Sequence, residues 1–228
     1  MSDQPRPRVL VVDDEQQILR ALRVILREAG FEAVPAATGE EALDLAAVEH
    51  PDAAIIDLLL PDMDGVELCR RLREWTEIPL IVLSAVGDED AKVRALAAGA
   101  DDYVTKPFGP RELVARLQAN LRRIAPDPEE APLRVDGLEV DLARRTVRVE
   151  GQEVHLTPTE FDLLRQLVRN RGRLLTHRDL LVSVWGPGYG DDTQVLRAHI
   201  ANLRRKIEPP EGRRYIRTDP GVGYRFAG

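Results

Sequence analysis

The sequence predicts an α/β half built on a five-stranded parallel sheet, followed by a smaller α+β half in which three helices lead into a β-hairpin. Three observations carry the prediction. Over residues 8–123, five short apolar runs alternate with amphipathic stretches, and the runs are apolar almost throughout, as strands covered on both faces are. The segment IAPDPEEAP, residues 124–132, has three prolines and three acidic residues and no periodicity, which makes it a fairly stiff linker between domains at 1–123 and 133–228. The charge also changes at the linker: residues 1–124 carry 23 acidic and 15 basic side chains, net −8, whereas residues 125–228 carry 16 and 17, net +1. The acidic half is disfavoured as a polyanion binder, and the other half is open to that role where its charges cluster.

In chain order, strands are expected at RVLVV (8–12), FEAVPA (31–36), AAIID (53–57), PLIVLS (79–84) and DYVT (102–105). Helices fall near 15–29, 39–48, 65–74, 88–98 and 110–123, and Leu19, Leu22, Ile25 and Leu26 show the three-and-four spacing of one buried face. Past the linker, the short strand candidates LRV, LEVD, TVRV and EVHL are separated by turn signals. In LTPTEFDLLRQLVRN, Thr157 caps a helix, Pro158 suits its first turn and Glu160 completes a capping box. Two further helices are expected near 176–184 and 192–207, and RRYIRTDPGVGYRF reads as a hairpin about Asp219, Pro220 and Gly221. There are no internal repeats.

With 43% hydrophobic and 31% charged residues the chain is globular. Its longest apolar stretches, 53–60 and 80–86, are interrupted by Asp57 and Ser84 and fall short of the roughly 20 residues a membrane helix needs. The opening residues lack a secretory signal and Cys69 is the one cysteine, so an internal disulfide is excluded. A cytoplasmic protein without membrane partners is the expectation.

Functional groups of a parallel α/β sheet gather at the carboxyl ends of its strands, where loops diverge and leave a crevice. Here those ends carry Asp13 and Asp14 after the first strand, Asp57 on the third, Ser84 on the fourth and Lys106 just past the fifth. Two carboxylates ~4 Å apart repel by roughly 4 kcal/mol at an effective dielectric of 20, so three together call for a cation. A hard, oxygen-only ligand set of few carboxylates plus water suits Mg²⁺. With metal and Lys106 beside it, Asp57 stays ionised and is able to attack phosphorus as a nucleophile.

The motifs VVDDE, IIDLLLPDMDG, IVLSA and YVTKPF resemble the receiver domain of two-component response regulators over residues 8–123. The resemblance implies a flavodoxin-like fold with strand order 2-1-3-4-5. It implies Asp57 as phosphoacceptor from a sensor histidine kinase, with Asp13, Asp14, Asp57 and the Leu59 carbonyl around Mg²⁺, Lys106 pairing with the phosphoryl group and Ser84 hydrogen-bonding to it. Tyr103 then follows Ser84 inward. It also implies a homodimer through the fourth helix, fifth strand and fifth helix, where Lys92 with Glu112, Asp102 with Arg116 and Asp101 with Arg123 are the candidate pairs. These pairs are expected to set register rather than affinity.

In DDTQVLRAHIANLRRKIE, Leu196, Ile200, Leu203 and Ile207 form one apolar stripe. The opposite face carries Gln194, Ala198, Ala201, Asn202 and Arg205, with Arg197 and Arg204 on one flank and Lys206 on the other. Small residues permit close approach to base edges, Gln and Asn pair with adenine, and the cations reach phosphate or guanine. The basic hairpin after it, with Arg213, Arg214 and Arg217, completes a winged helix-turn-helix layout. His199, beside the apolar stripe, is expected to pack or contact phosphate rather than bind metal. The stretches LTPTEFDLL, LLVSVWG, HIANLRRKIE and DPGVGYRF are similar to the effector domain of the OmpR/PhoB family over residues 133–227. Within it, REWTEIPLIVLSA and VHLTPTEF are most similar to the branch that controls potassium-uptake genes. Asn202 and Pro220 stand where many relatives carry arginines, so base preferences do not transfer.

The expectation is therefore a phosphorylation-dependent transcription regulator with promoter DNA and RNA polymerase as partners. It is not an enzyme beyond phosphoryl transfer to itself and its reversal. A haloacid-dehalogenase-type phosphatase would want an acid two residues after the nucleophile, where Leu59 stands. The alternative is a winged-helix factor whose receiver no longer responds to phosphate.

Overall fold

The computed structural model describes residues 6–85, 89–122, 132–186, 189, 192–208 and 213–227. They form two compact units, Met1–Leu121 and Arg122–Gly228. Residues 124–131 of the expected linker lie outside the described residues.

In the first unit, strands β1 (Arg8–Val12), β2 (Glu32–Ala36), β3 (Ala53–Asp57), β4 (Leu80–Ala85) and β5 (Asp102–Lys106) form one sheet in the order β2-β1-β3-β4-β5, with every pairing parallel. Helices α1 (Gln16–Glu28), α2 (Gly39–Glu49), α3 (Gly65–Arg73), α4 (Glu89–Ala97) and α5 (Pro110–Arg122) alternate with the strands. The central strand β3 is buried at all five positions, Asp57 included. Pro35 sits in β2, and as an edge strand β2 tolerates the missing ladder donor. Val9, Val11, Ile55, Ile81 and Leu83 pack with Leu22 and Leu26 of α1 and Leu113 and Leu117 of α5, each about 1.5–3 kcal/mol of burial.

The loop from β3 to α3 is held from both sides. Asp64 caps α3 by accepting from the Val66 amide, and Asp62 accepts from the Gly39 and Glu40 amides that open α2. Gly65 starts α3 so close to β3 that a Cβ there would stand 2.3 Å from the Asp57 carbonyl oxygen. Only glycine lets α3 begin directly behind the end of β3.

At the opposite end of the sheet, Asp101 is fully buried and its carboxylate accepts from Arg73 and from the Leu80 amide at 3.0 Å. Arg73 also donates to the Gly99, Thr76 and Ile78 carbonyls. Asp101 is therefore a core tie between α3, β4 and the entry to β5, and not the surface dimer contact the sequence led us to expect. The doublet Asp101-Asp102 hid the difference between an inward and a flanking carboxylate.

In the second unit, β6 (Leu133–Val135), β7 (Leu138–Asp141), β8 (Thr146–Val149) and β9 (Gln152–Glu153) form an antiparallel sheet in chain order. The expected EVHL strand shrinks to β9, because the chain must turn at once into α6 (Pro158–Arg169), whose Thr157 and Glu160 make the predicted capping box. Helices α7 (His177–Trp185) and α8 (Thr193–Ile207) follow. The terminal hairpin, β11 (Ile216–Asp219) and β12 (Gly223–Phe226), gains an unforeseen third strand, β10 (Leu174–Thr176), on the free side of β12. Three residues running straight into the cap of α7 left no strand signal. A Cβ at Gly223 would fall 1.9 Å from the Leu175 carbonyl oxygen, which fixes that close pairing.

Arg73→Met leaves the buried Asp101 charge without its guanidinium, so the first unit should lose about 3–5 kcal/mol of stability. Calorimetry of the full chain tests this, and an unchanged first-unit transition would contradict it. Asp101→Asn, which keeps an acceptor for the Leu80 amide, should cost less.

Candidate functional site

Parallel register builds the carboxyl-edge site. Val12 pairs with Ile56, so Asp13 and Asp57 leave β1 and β3 side by side. Asp57 pairs with Leu83, which puts Ser84 one residue beyond it, and Ala85 pairs with Lys106 at the end of β5. The carboxylates of Asp13, Asp14 and Asp57 come within 4.8 Å of one another. Lys106 Nζ spans two of them, 2.9 Å from Asp13 Oδ2 and 3.0 Å from Asp57 Oδ2. The other oxygens are also engaged: the Glu15 amide donates to Asp13 Oδ1 and the Leu58 amide to Asp57 Oδ1. The group borders a cleft of about 700 Å³ whose walls include Asp14, Leu59 and Arg94.

Burial, the largest influence, pushes the Asp57 carboxyl above the usual aspartate range, and Asp13 adds to the rise while Lys106 and the Leu58 amide oppose it. Burial pulls the Lys106 ammonium down, but its hydrogen bonds to Asp13 and Asp57 outweigh this and leave it raised. One ammonium thus faces three carboxylates, and the donor set is all oxygen. That fits a hard divalent cation such as Mg²⁺. Ser84 Oγ is buried and has no hydrogen-bond partner among the described residues. Buried hydroxyls are usually satisfied, so one left over at an acidic pocket marks a place for an incoming acceptor.

Tyr103 is half-buried in β5 with Lys92 Nζ 4.7 Å from its ring centroid. Within this one chain Lys92, itself buried, pairs with Glu89 and not with Glu112. Asp102 and Arg116 do meet, at 3.2 Å, and Arg116 also binds Glu112 at 2.8 Å. Of the expected dimer set, Glu112 is exposed, Lys92 and Asp102 are buried with partners in their own chain, and Arg123 lies outside the described residues. Sequence reading missed Arg94, which pairs with Asp64 at 3.4 Å across the cleft mouth. It missed Asp62 as well, whose target amides lie 22 and 23 residues earlier, without a local signature.

On α8, Gln194, Arg197, Ala201 and Arg205 are exposed, as is Arg217 on β11. The remaining predicted contacts lie elsewhere. Asn202 is buried, 4% exposed, because its place on the helix faces the flank rather than the outer stripe, and its Oδ1 accepts from Arg205 at 2.9 Å. Lys206 lies against α6 and pairs with Glu160 at 2.6 Å. Arg204 donates to the Ile216 carbonyl and to Thr218 Oγ1 on β11, and its guanidinium lies 5.7 Å from the Tyr224 ring. His199 is buried with its ring 5.4 Å from that of Trp185, a packing role. No helix among the described residues is long and apolar enough to cross a membrane.

Residues 9–118 match the response regulator receiver domain, and residues 151–226 match the C-terminal domain of transcriptional regulatory proteins. The chain is 51% identical to the transcriptional regulatory protein KdpE of Mycobacterium tuberculosis over 96% of its own length and 98% of that protein. It is 47% identical to the KDP operon transcriptional regulatory protein KdpE of Escherichia coli K12, over 96% and 98%. The DNA-binding response regulator MtrA of Mycolicibacterium smegmatis is 40% identical over 98% of each chain. Among solved structures, a point mutant of RitR matches with a TM-score of 0.79 at 26% identity over 97% of this chain and all of that one. The Thermotoga maritima OmpR/PhoB homologue DrrB matches at 0.53 and 33%, over 98% of this chain and all of that one.

A carboxyl whose pKa is raised on folding favours the folded state below the ordinary aspartate range and loses that contribution as pH rises through the raised value. The raised Lys106 works the other way at neutral pH: its contribution is intact there and is lost only as pH climbs past the ordinary lysine range. Ionised Asp57 therefore opposes the ion-free fold at pH 7. Asp57→Asn should melt above wild type at that pH without divalent ion, and Mg²⁺ should close the gap. A melting series from acid to neutral pH checks this, and a variant that melts below wild type at pH 7 would contradict it.

Proposed function

Because the chain belongs to the two-component response regulators of OmpR/PhoB type, we propose that phosphoryl transfer to Asp57 switches its DNA binding. The observation that carries the reading is the bridging of Asp13 and Asp57 by Lys106 beside a buried, unpartnered Ser84 hydroxyl. A receiver that had lost its response would have no need of that set.

An ionised Asp57 oxygen attacks the phosphorus of a phosphohistidine on the partner kinase. The P–N bond breaks as the P–O bond forms, and the imidazole leaves with its electron pair and takes a proton. Lys106, already 3.0 Å from Asp57, neutralises charge on the phosphoryl oxygens. Asp13, Asp14, Asp57 and the Leu59 carbonyl are the residues that would hold Mg²⁺, which when bound screens the negative charge of donor and acceptor. The loop bearing Leu59 is fixed by the Asp62 and Asp64 caps.

Phosphorylated, Asp57 offers new acceptor oxygens that the Ser84 hydroxyl is free to meet. Movement of Ser84 opens space beside β5 for Tyr103, and Lys92 then loses the ring beneath its ammonium. Lys92, Asp102, Glu112 and Arg116 re-pair across a homodimer, which holds two winged helices for neighbouring half-sites of promoter DNA, where RNA polymerase is recruited. In the DNA complex Gln194, Arg197, Ala201, Arg205 and Arg217 form the contact surface. Identities of 51% and 47% to KdpE proteins support control of potassium-uptake genes.

With a small-molecule phosphodonor and Mg²⁺, wild type should gain one phosphoryl group by mass spectrometry, elute as a dimer and bind DNA about 5–150-fold more tightly, the usual range of coupling between sites. Asp57→Ala should do none of these, and Ser84→Ala should take up phosphate but show a much smaller gain. Phosphodonor-insensitive size and affinity in wild type would refute the reading. Arg197→Ala should lower the slope of log affinity against log salt by about 0.9, the loss of one phosphate contact.

A further inference from the structure

The helical wheel spreads Arg204, Arg205 and Lys206 over one flank, the outer face and the other flank, and the fold gives the three unlike partners. Lys206 is neutralised by the buried Glu160 at 2.6 Å, which fastens α8 to the first turn of α6. Arg204 is turned toward β11, where it donates to the Ile216 carbonyl and Thr218 and lies 3.9 Å from Glu208. Arg205 remains exposed, on the same stripe as Gln194, Ala198 and Ala201 at three-and-four spacing. Its guanidinium is held by the amide oxygen of Asn202, one turn back.

We propose that Arg205 is the base-reading arginine of α8 and that Asn202 is its positioning residue, orienting the guanidinium toward a guanine in the major groove. This goes beyond the phosphorylation switch and rests only on the DNA-binding role of the second unit. Two features of the pair carry it. Asn202 is buried and so has a fixed side chain, and a fixed acceptor removes rotamer freedom from the long arginine before DNA arrives. The acceptor is also a neutral amide, so it orients the guanidinium without cancelling its charge, unlike the carboxylate that meets Lys206. Ala198 and Ala201, two turns and one turn before Arg205, let the helix approach the base edges closely enough for the arginine fork to reach guanine O6 and N7.

Selection of binding sites from a pool of random duplex DNA tests the pair, using the full-length chain with and without a small-molecule phosphodonor and Mg²⁺. Wild type should enrich a motif with a guanine position preferred by about 5- to 150-fold, the worth of one bidentate arginine contact. Arg205→Ala and Arg205→Lys should both lose that preference, the lysine variant while keeping the salt dependence of wild type. Asn202→Ala should flatten the same position, and no other, with melting temperature recorded alongside. Asn202→Asp keeps an acceptor and should restore the guanine preference at lower affinity, because the carboxylate cancels charge. Retention of every base preference by Arg205→Ala, or of the guanine preference in full by Asn202→Ala, would overturn the proposal. Enrichment of no motif by wild type in either condition would overturn the DNA-reading role itself, and the pair with it. A response to DNA without a response to phosphodonor would overturn the switch alone.

Discussion

Lys106 reaches Asp13 at 2.9 Å and Asp57 at 3.0 Å, and the carboxyl edge of the receiver is arranged around that one ammonium. Two carboxylates at such separations repel by about 4 kcal/mol at an effective dielectric of 20, and the pocket contains three. A single lysine relieves only part of this, and burial, with a smaller push from Asp13, still holds the Asp57 carboxyl above the usual aspartate range. The residual imbalance makes the pocket suited to a divalent cation and keeps a carboxylate oxygen at the end of an otherwise apolar strand. Every strand of the parallel sheet except the edge strand β2 supplies a group to this balance. The fold is therefore a precondition of the site and more than a scaffold for it.

That imbalance also explains why the surrounding loop is so firmly held. A carboxylate at the end of β3 is useful only if the backbone after it stays in place, and Gly65, Asp62 and Asp64 fix it from three directions. Ser84 Oγ is the one buried side-chain polar atom of the described pocket left without a partner, and it sits on the strand next to β3. In the proposed switch, change at Asp57 passes toward β4 and β5, where the Ser84 hydroxyl is available, and away from the pinned loop. Lys92 over the Tyr103 ring is the contact that joins β5 to α4 in that proposal.

The first unit was legible because its signals are local and redundant. Apolar runs gave the strands, and the position of Asp13, Asp57, Ser84 and Lys106 at their carboxyl ends gave the candidate site. The second unit was legible in its capping box and its basic helix. It was less so in β10, where three residues abut a helix cap, and in β9, where the start of α6 cuts the strand short. The errors among site residues share one cause. Charge type can be read from sequence, but direction cannot, when a residue lies near the boundary between two faces. Asp101 and Asp102 are neighbours, yet one faces Arg73 and the other Arg116. Lys206 sits on a flank of the α8 wheel and Asn202 on the outer face next to that flank, where a modest rotation decides between solvent and core.

The buried and half-buried ion pairs of the two units follow a common rule. Where charges balance one to one and the spare donors find carbonyls, as in Arg73 with Asp101, the pair ties elements together and leaves no field outside. Lys206 with Glu160 does the same for α8 and α6. The two candidate sites lie where the count is left unequal: three carboxylates against one ammonium at the Asp57 pocket, and a guanidinium held by a neutral amide on α8. Both sites are pre-organised by hydrogen bonds that fix direction without removing net charge, so the charge remains available to a partner. The acidic pocket thereby suits a cation, and the exposed cationic face of α8 suits the DNA-binding role of its family. Formal charge alone would not have separated these sites from the structural pairs beside them, since each contains the same kinds of residue.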